Sequence, residues 1–184
     1  IAFGGSNATT VENEQNNAHI QSALLSMRPY GATPLAGQMA DARTFLLDDI
    51  STDPANPAEF FGPSKDPYYL GGCRGQFLIV LSDGEPNLDL RDDCAAGNGQ
   101  CPFPMPHEVA HELATLSNPI RTFAIGFGLS TTNGVSCSDL TPAQLTDANG
   151  ICATATGSLK ACCTLGRIAY EGGTDRAYFA SDLP

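Results

Sequence analysis

The stretch that most constrains this chain is Gln76 to Asn87, QFLIVLSDGEPN. Phe77-Leu78-Ile79-Val80-Leu81 is unbroken apolar and rich in residues that favour strands. A strand apolar on both faces fits the middle of a parallel sheet with helices on either side. The character then changes within one residue, to Ser82-Asp83-Gly84, which puts a carboxylate at the carboxyl end of the expected most buried strand. Open α/β sheets form their ligand sites at that edge. Gly84 permits a sharp exit and Pro86 prevents the strand from continuing. Taken alone, an Asp-Gly after a strand is more often a turn than a site.

Helical and strand patterns alternate along the rest of the chain. Ile20, Ala23, Leu24 and Met27 recur at helical spacing and predict a helix over about Glu14 to Met27, with His19 at its surface. Thr33-Pro34 is a helix start, and Leu35, Met39, Ala42 and Leu46 mark the buried stripe of a helix ending near Asp48. Asp49 to Arg74 is a proline-punctuated connection, with Phe60, Phe61, Tyr68 and Tyr69 expected to pin it down. Pro106 to Ser117 reads as a helix and Ile120 to Phe127 as a strand. A short helix is expected to start at Thr141-Pro142, and a longer one to run from Leu159 to Glu171, stopped by Gly172-Gly173. Ala177 to Ala180 is a last short strand. This order predicts an α/β fold, a three-layer sandwich around a mostly parallel, doubly wound sheet.

The chain has 184 residues, enough for one domain with a real core. Its net charge of -11, with no basic cluster, argues against a nucleic-acid partner and suits cations or basic surfaces. No apolar run approaches the roughly 18 residues that a membrane span needs. The seven cysteines form no CxxC pair and have no histidine at zinc-finger spacing, so they read as disulfide staples and imply an oxidising compartment. Cys94 and Cys101 are the expected local pair, because Gly97 and Gly99 let the short loop between them close. Ile1-Ala2-Phe3-Gly4-Gly5 reads as the tail of a buried strand, so a further strand and helix are expected ahead of it.

Two motifs compete for a functional reading. Asp83, Glu85, Asn87 and Asp89 alternate like calcium-loop ligands, but the glycine and closing glutamate of the EF-hand pattern are missing. His107-Glu108-Val109-Ala110-His111 is a literal HExxH, which on a helix can bind zinc with Glu108 as general base. Against the zinc reading, Val109, Leu113 and Leu116 point away from His107 and His111, which leaves the motif on a solvated face. The one other histidine is His19, and Glu171 is the available carboxylate.

The ordered pieces resemble a von Willebrand factor type A domain. They are the strand end IAFGG, the turn GATPL opening a helix, the strand FLIVLSDGEPN, the strand TFAIGFG, and the closing LGRIAYEGGTDRAYFA. Cys73 ahead of the central strand, the approach DPYYLGGC and the cysteine-rich later loops look most like the branch found in type IV pilus tip-associated adhesin and assembly proteins. The resemblance implies a single domain over 1–184, lacking its first strand and helix. It implies a site at the sheet's carboxyl edge, with Thr33 as the second-loop hydroxyl and Asp83 as the third-loop carboxylate. These hard oxygen ligands suit Mg2+, or Ca2+ in a looser site. The first-loop Asp-x-Ser-x-Ser signature does not occur in this sequence and belongs before Ile1. The implied function is adhesion and pilus assembly through protein partners at a pilus tip, without catalysis. The protein is then secreted or at the cell surface, and periplasmic in transit. The alternatives are a zinc metalloprotease and an extracellular scaffold with no working metal site.

Overall fold

A computed structural model describes residues 9–26, 33–47, 75–85, 87, 103–132 and 134–180. The expected strand end at Ile1–Gly5, the connection Asp49–Arg74, Cys73 and the Cys94–Cys101 pair lie outside these residues. The chain divides into two compact units, one of Ile1–Gly31 with Ala42–Arg74, the other of Ala32–Asp41 with Gly75–Pro184.

In the first unit, α1 runs over Thr10–Ser26, starting four residues before the expected Glu14. Its stripe is weak: Ile20 is half-buried and Ala23 is exposed. Helix α2 spans Leu35–Leu47 and crosses from the second unit into the first. Its apolar spacing is realised, with Leu35, Met39 and Leu46 buried.

The second unit holds the sheet. β1 (Phe77–Ser82) pairs in parallel with β2 (Arg121–Gly126) from Phe77↔Arg121 to Ser82↔Gly126. β2 pairs in parallel with β5 (Tyr178–Phe179), giving the order β1-β2-β5. The small hairpin β3 (Thr131–Thr132) and β4 (Val135–Ser136) stands apart from it. Helix α3 (Pro106–Ala114) connects β1 to β2. Its cap falls at Thr115, short of Ser117, and the Thr115 hydroxyl donates to the His111 and Glu112 carbonyls. The short α4 (Pro142–Thr146) starts where the Thr-Pro pair predicts. Thr141 Oγ1 accepts from Gln144 N–H, and the Gln144 side chain accepts from Thr141 N–H, a reciprocal cap. Helix α5 (Gly157–Glu171) leads to β5.

Both α3 and α5 pack on β2 and on each other, so they share one face of the sheet. Val109, Ala110, Leu113, Leu165, Ile168 and Ala169 are buried there over Thr122 and Ala124. The fold is thus a parallel three-stranded sheet flanked by helices, α/β as expected. The position of β1 differs from expectation. It lies at an edge of this sheet, and its burial alternates: Val80 and Ser82 are buried, whereas Phe77, Ile79 and Leu81 are 59, 60 and 59 % exposed. An unbroken apolar run states that both faces can be covered, not that both are. Among the described residues only the face toward α3 and α5 is covered.

Helix α5 is tied down by covalent and close contacts. Its adjacent Cys162 and Cys163 bond to Cys137 and Cys152, with Cα atoms 5.2 and 5.5 Å apart. The two bridges close separations of 25 and 11 residues. Gly172, just past the helix, lies against β2: a Cβ there would stand 2.7 Å from both the Ile168 carbonyl oxygen and the Thr122 Cβ. Thr122 N–H donates to Gly172 O at 3.0 Å, and the Thr174 hydroxyl donates to Thr122 O at 2.7 Å.

Two predictions follow from this packing. Gly172→Ala should destabilise the protein by about 1–3 kcal/mol, because backbone and a buried threonine must both give way. Denaturant unfolding reads this as a lower midpoint, and an unchanged midpoint would refute the close approach. Replacing Cys137 and Cys162 together by alanine should cost about 3 kcal/mol through the freed unfolded chain. Peptide mapping of the native protein without reduction should recover Cys137 with Cys162 and Cys152 with Cys163. Alkylation of these four thiols in the native protein would contradict the pairing.

Candidate functional site

The site is built where β1 ends. Ser82 is the last strand residue; its carbonyl accepts from Phe127 N–H at 2.9 Å, which extends the β1–β2 pairing one step beyond the strands. The buried Ser82 hydroxyl and the Gly84 backbone bond to each other and turn the chain sharply. That turn leaves Asp83 exposed at the carboxyl edge. Its carboxylate makes no hydrogen bond or ion pair with the described residues.

The rest of the DGEPN segment is a two-sided clamp. Asn87 Oδ1 accepts from Thr33 N–H at 3.0 Å, and Asn87 N–H donates to Thr33 O at 2.9 Å. The turn ahead of α2 is thereby fixed to the loop after β1, across 54 residues of sequence. The Asn87 amide also donates to Glu85 O at 3.2 Å, which holds the loop's own shape. On the other side, Glu85 Oε2 accepts from Gly157 N–H at 3.1 Å and Glu85 Oε1 pairs with Lys160 Nζ at 2.9 Å. A carboxylate here meets the positive end of α5 as well as a lysine in its first turn. The Lys160 hydrogen bond first, then the Lys160 charge and the Gly157 amide, hold the Glu85 carboxyl below its ordinary pKa, against desolvation, which pushes it up. Gly157 has φ +58, a left-handed conformation that glycine adopts readily.

The structure therefore joins the Thr33 turn to the loop that bears Asp83, through Asn87. Asn87 and Glu85 had no assigned role beyond a failed calcium-loop pattern. Their signal, a carboxylate and an amide two residues apart after a strand, is common in any turn.

The HExxH helix presents Glu108, His111 and Glu112 to solvent, as expected. Glu108 Oε2 accepts from Met105 N–H at 2.8 Å and so caps its own helix. His111 Nδ1 lies 3.2 Å from Glu171 Oε2, while Arg167 Nε lies 4.0 Å from Glu171 Oε1. His107 is half-buried beside α5, which corrects its expected solvated position. Burial first, then the Arg167 charge, hold His107 below the usual imidazole pKa, and Glu108 and Glu171 pull the other way. Among the described residues, no three or more His, Cys, Asp or Glu side chains converge as a metal set. His19 is exposed on α1.

No family model, no curated protein and no solved structure matches this chain. No helix among the described residues is long and apolar enough to cross a membrane.

The Glu85 clamp has a pH signature. A depressed carboxyl pKa contributes order that is full above the ordinary glutamate value and is lost as pH falls through the lower, folded value. The Gly157 amide resonance should therefore titrate with a midpoint below the ordinary glutamate range. Glu85→Gln should abolish that titration, and a midpoint at or above the ordinary value would contradict the clamp.

Proposed function

We propose that this chain is a von Willebrand factor A-like recognition module of the type IV pilus tip adhesin kind, which binds protein partners at the carboxyl edge of its sheet. The observation that carries the reading is the pair of hydrogen bonds between Asn87 and the Thr33 backbone. It sets a helix-opening threonine beside the loop of the strand-ending Asp83. In this reading the sheet is one half of a three-layer sandwich, and the uncovered face of β1 receives the missing layer. The disulfides fit a protein that is secreted or held at the cell surface after passing through the periplasm.

The donor chemistry fits a divalent cation. Asp83 offers an exposed carboxylate that the described residues do not use, and Thr33 offers a hydroxyl while its backbone is held by Asn87. Both are hard oxygen donors, suited to Mg2+ or Ca2+. Two ligands are too few for tight binding, so the remaining oxygens must come from other groups, a partner carboxylate among them. A bound cation supplies an anchor for a partner carboxylate. The chain's own part is to hold Asp83 and Thr33 in place through Ser82, Gly84 and Asn87, so that little ordering is left for the moment of binding. The function is recognition and assembly, not catalysis. Glu108, the general base of the protease alternative, is engaged as a helix cap.

Asp83→Ala in the chain with its natural flanking sequence should weaken divalent-ion binding at least tenfold and reduce partner adhesion, with the fold intact. An exposed edge carboxylate adds little to the core. Calorimetric titration with Mg2+, Mn2+ and Ca2+ checks this, and equal affinity in both proteins would rule Asp83 out. Zinc bound at His107 and His111, with proteolysis lost in Glu108→Gln, would move the function to the enzyme reading.

A further inference from the structure

A second concave site lies among α3, α4 and α5 and adjoins the Glu85 clamp at Lys160. It is a pocket of about 350 Å³. Part of its wall is apolar: Leu145 and Ala148 on one side, and the Cys152–Cys163 disulfide on another. His107 and Arg167 line the same pocket. A site of this volume is large enough for a small ligand, and its lining is mixed, with Thr146, Asp147, Lys160 and Thr164 beside His107 and Arg167.

The charges in and around it are unevenly committed. Lys160 lines the pocket, but its ammonium is held by Glu85 at 2.9 Å. Arg167 is less engaged. Its ion pair with Glu171 is long, at 4.0 Å, because the other oxygen of Glu171 serves His111. Arg167 Nε is buried without a hydrogen-bond partner. Asp147 is the one carboxylate on the pocket wall; it is exposed and accepts from Asn149 N–H at 2.9 Å. His107 is half-buried next to this cation, and an imidazole so placed is neutral near pH 7 and presents one N–H. The pocket thus combines an under-used guanidinium, an imidazole and a small apolar wall in a strongly acidic protein.

We propose that this pocket binds a carboxylate with a short apolar body, the carboxylate on Arg167 and His107 and the apolar body against Leu145, Ala148 and the Cys152–Cys163 disulfide. Guanidinium–carboxylate pairing gives direction as well as strength. The same chemistry is offered by a free small organic acid and by the C-terminal residue of a peptide. The two differ in the amide that precedes the carboxylate-bearing carbon. This assignment is independent of the metal-edge reading, since none of its residues belongs to that edge except Lys160, which serves the clamp.

Binding of three probes to the full chain, followed by NMR, tests it: 4-methylpentanoate, N-acetyl-leucine and N-acetyl-leucinamide. The acids should bind and should raise the His107 pKa, because a bound carboxylate offsets the Arg167 charge. The charged groups that bear on His107 are Arg167 and Glu171 on α5 and Glu108 on its own helix, and Lys160 and Asp147 line the same pocket. The neutral amide should bind at least about tenfold more weakly. N-acetyl-leucine binding at least tenfold better than 4-methylpentanoate would assign the pocket to a peptide terminus, and equal binding to a small organic acid. Arg167→Gln should lose about tenfold in acid affinity, with Arg167→Lys between the two. Ala153→Phe, at an exposed position on the pocket wall, should block binding without touching Arg167. Overturning results are acid and amide binding alike, no acid bound by the unmodified chain, or acid binding unaffected by Ala153→Phe.

Discussion

The register between β1 and β2 is the constraint on which the other features rest. Parallel pairing from Phe77↔Arg121 to Ser82↔Gly126 ends both strands at one level. It puts Val80 and Ala124 on the face toward the helices and Ile79 with Phe123 on the other. A slip of one residue would exchange these faces and bury Ile79 where Val80 now packs. The register also decides that Asp83 is the first residue to leave the sheet. The carboxyl-edge loop stands where it does because the strand beneath it cannot slide.

On that floor the DGEPN loop works as a connector. Asn87 reaches the turn before α2 and Glu85 reaches the start of α5, so one short segment holds two others in place. Helix α5 is in turn held from below by β2 and from the side by two disulfides on adjacent cysteines. Rigidity therefore runs from the core through α5 to Glu85 and on to the exposed carboxylate of Asp83. An edge held this way has few conformations to lose in any binding event.

Much of this was legible in the sequence where local chemistry decides the outcome. Thr141-Pro142 announced a capped helix, Leu165, Ile168 and Ala169 announced the buried face of α5, and Gly172-Gly173 announced its end. Three things were not legible, for physical reasons. The apolar run of β1 does not record which face a neighbour covers, so Phe77, Ile79 and Leu81 were expected to be buried. A helical wheel for α3 sorts His107 away from Val109 and Leu113, but it cannot show that α5 lies beside that polar side. The clamp through Glu85 and Asn87 depends on partners 72 and 54 residues distant, and no local pattern specifies them. Of the two expected site residues, the position of Asp83 followed from the end of a strand. The contact that the structure shows at this edge is between the Thr33 backbone and Asn87.

The central claim, a cation-dependent recognition edge organised by Asp83 and Thr33, is tested most directly by paramagnetic relaxation with Mn2+ in the chain with its natural flanking sequence. The account predicts that substoichiometric Mn2+ broadens the backbone resonances of Thr33 and of Ser82 to Gly84 together, sparing those of His107 and His111. Broadening centred on His107 and His111, or none at the edge, would contradict it.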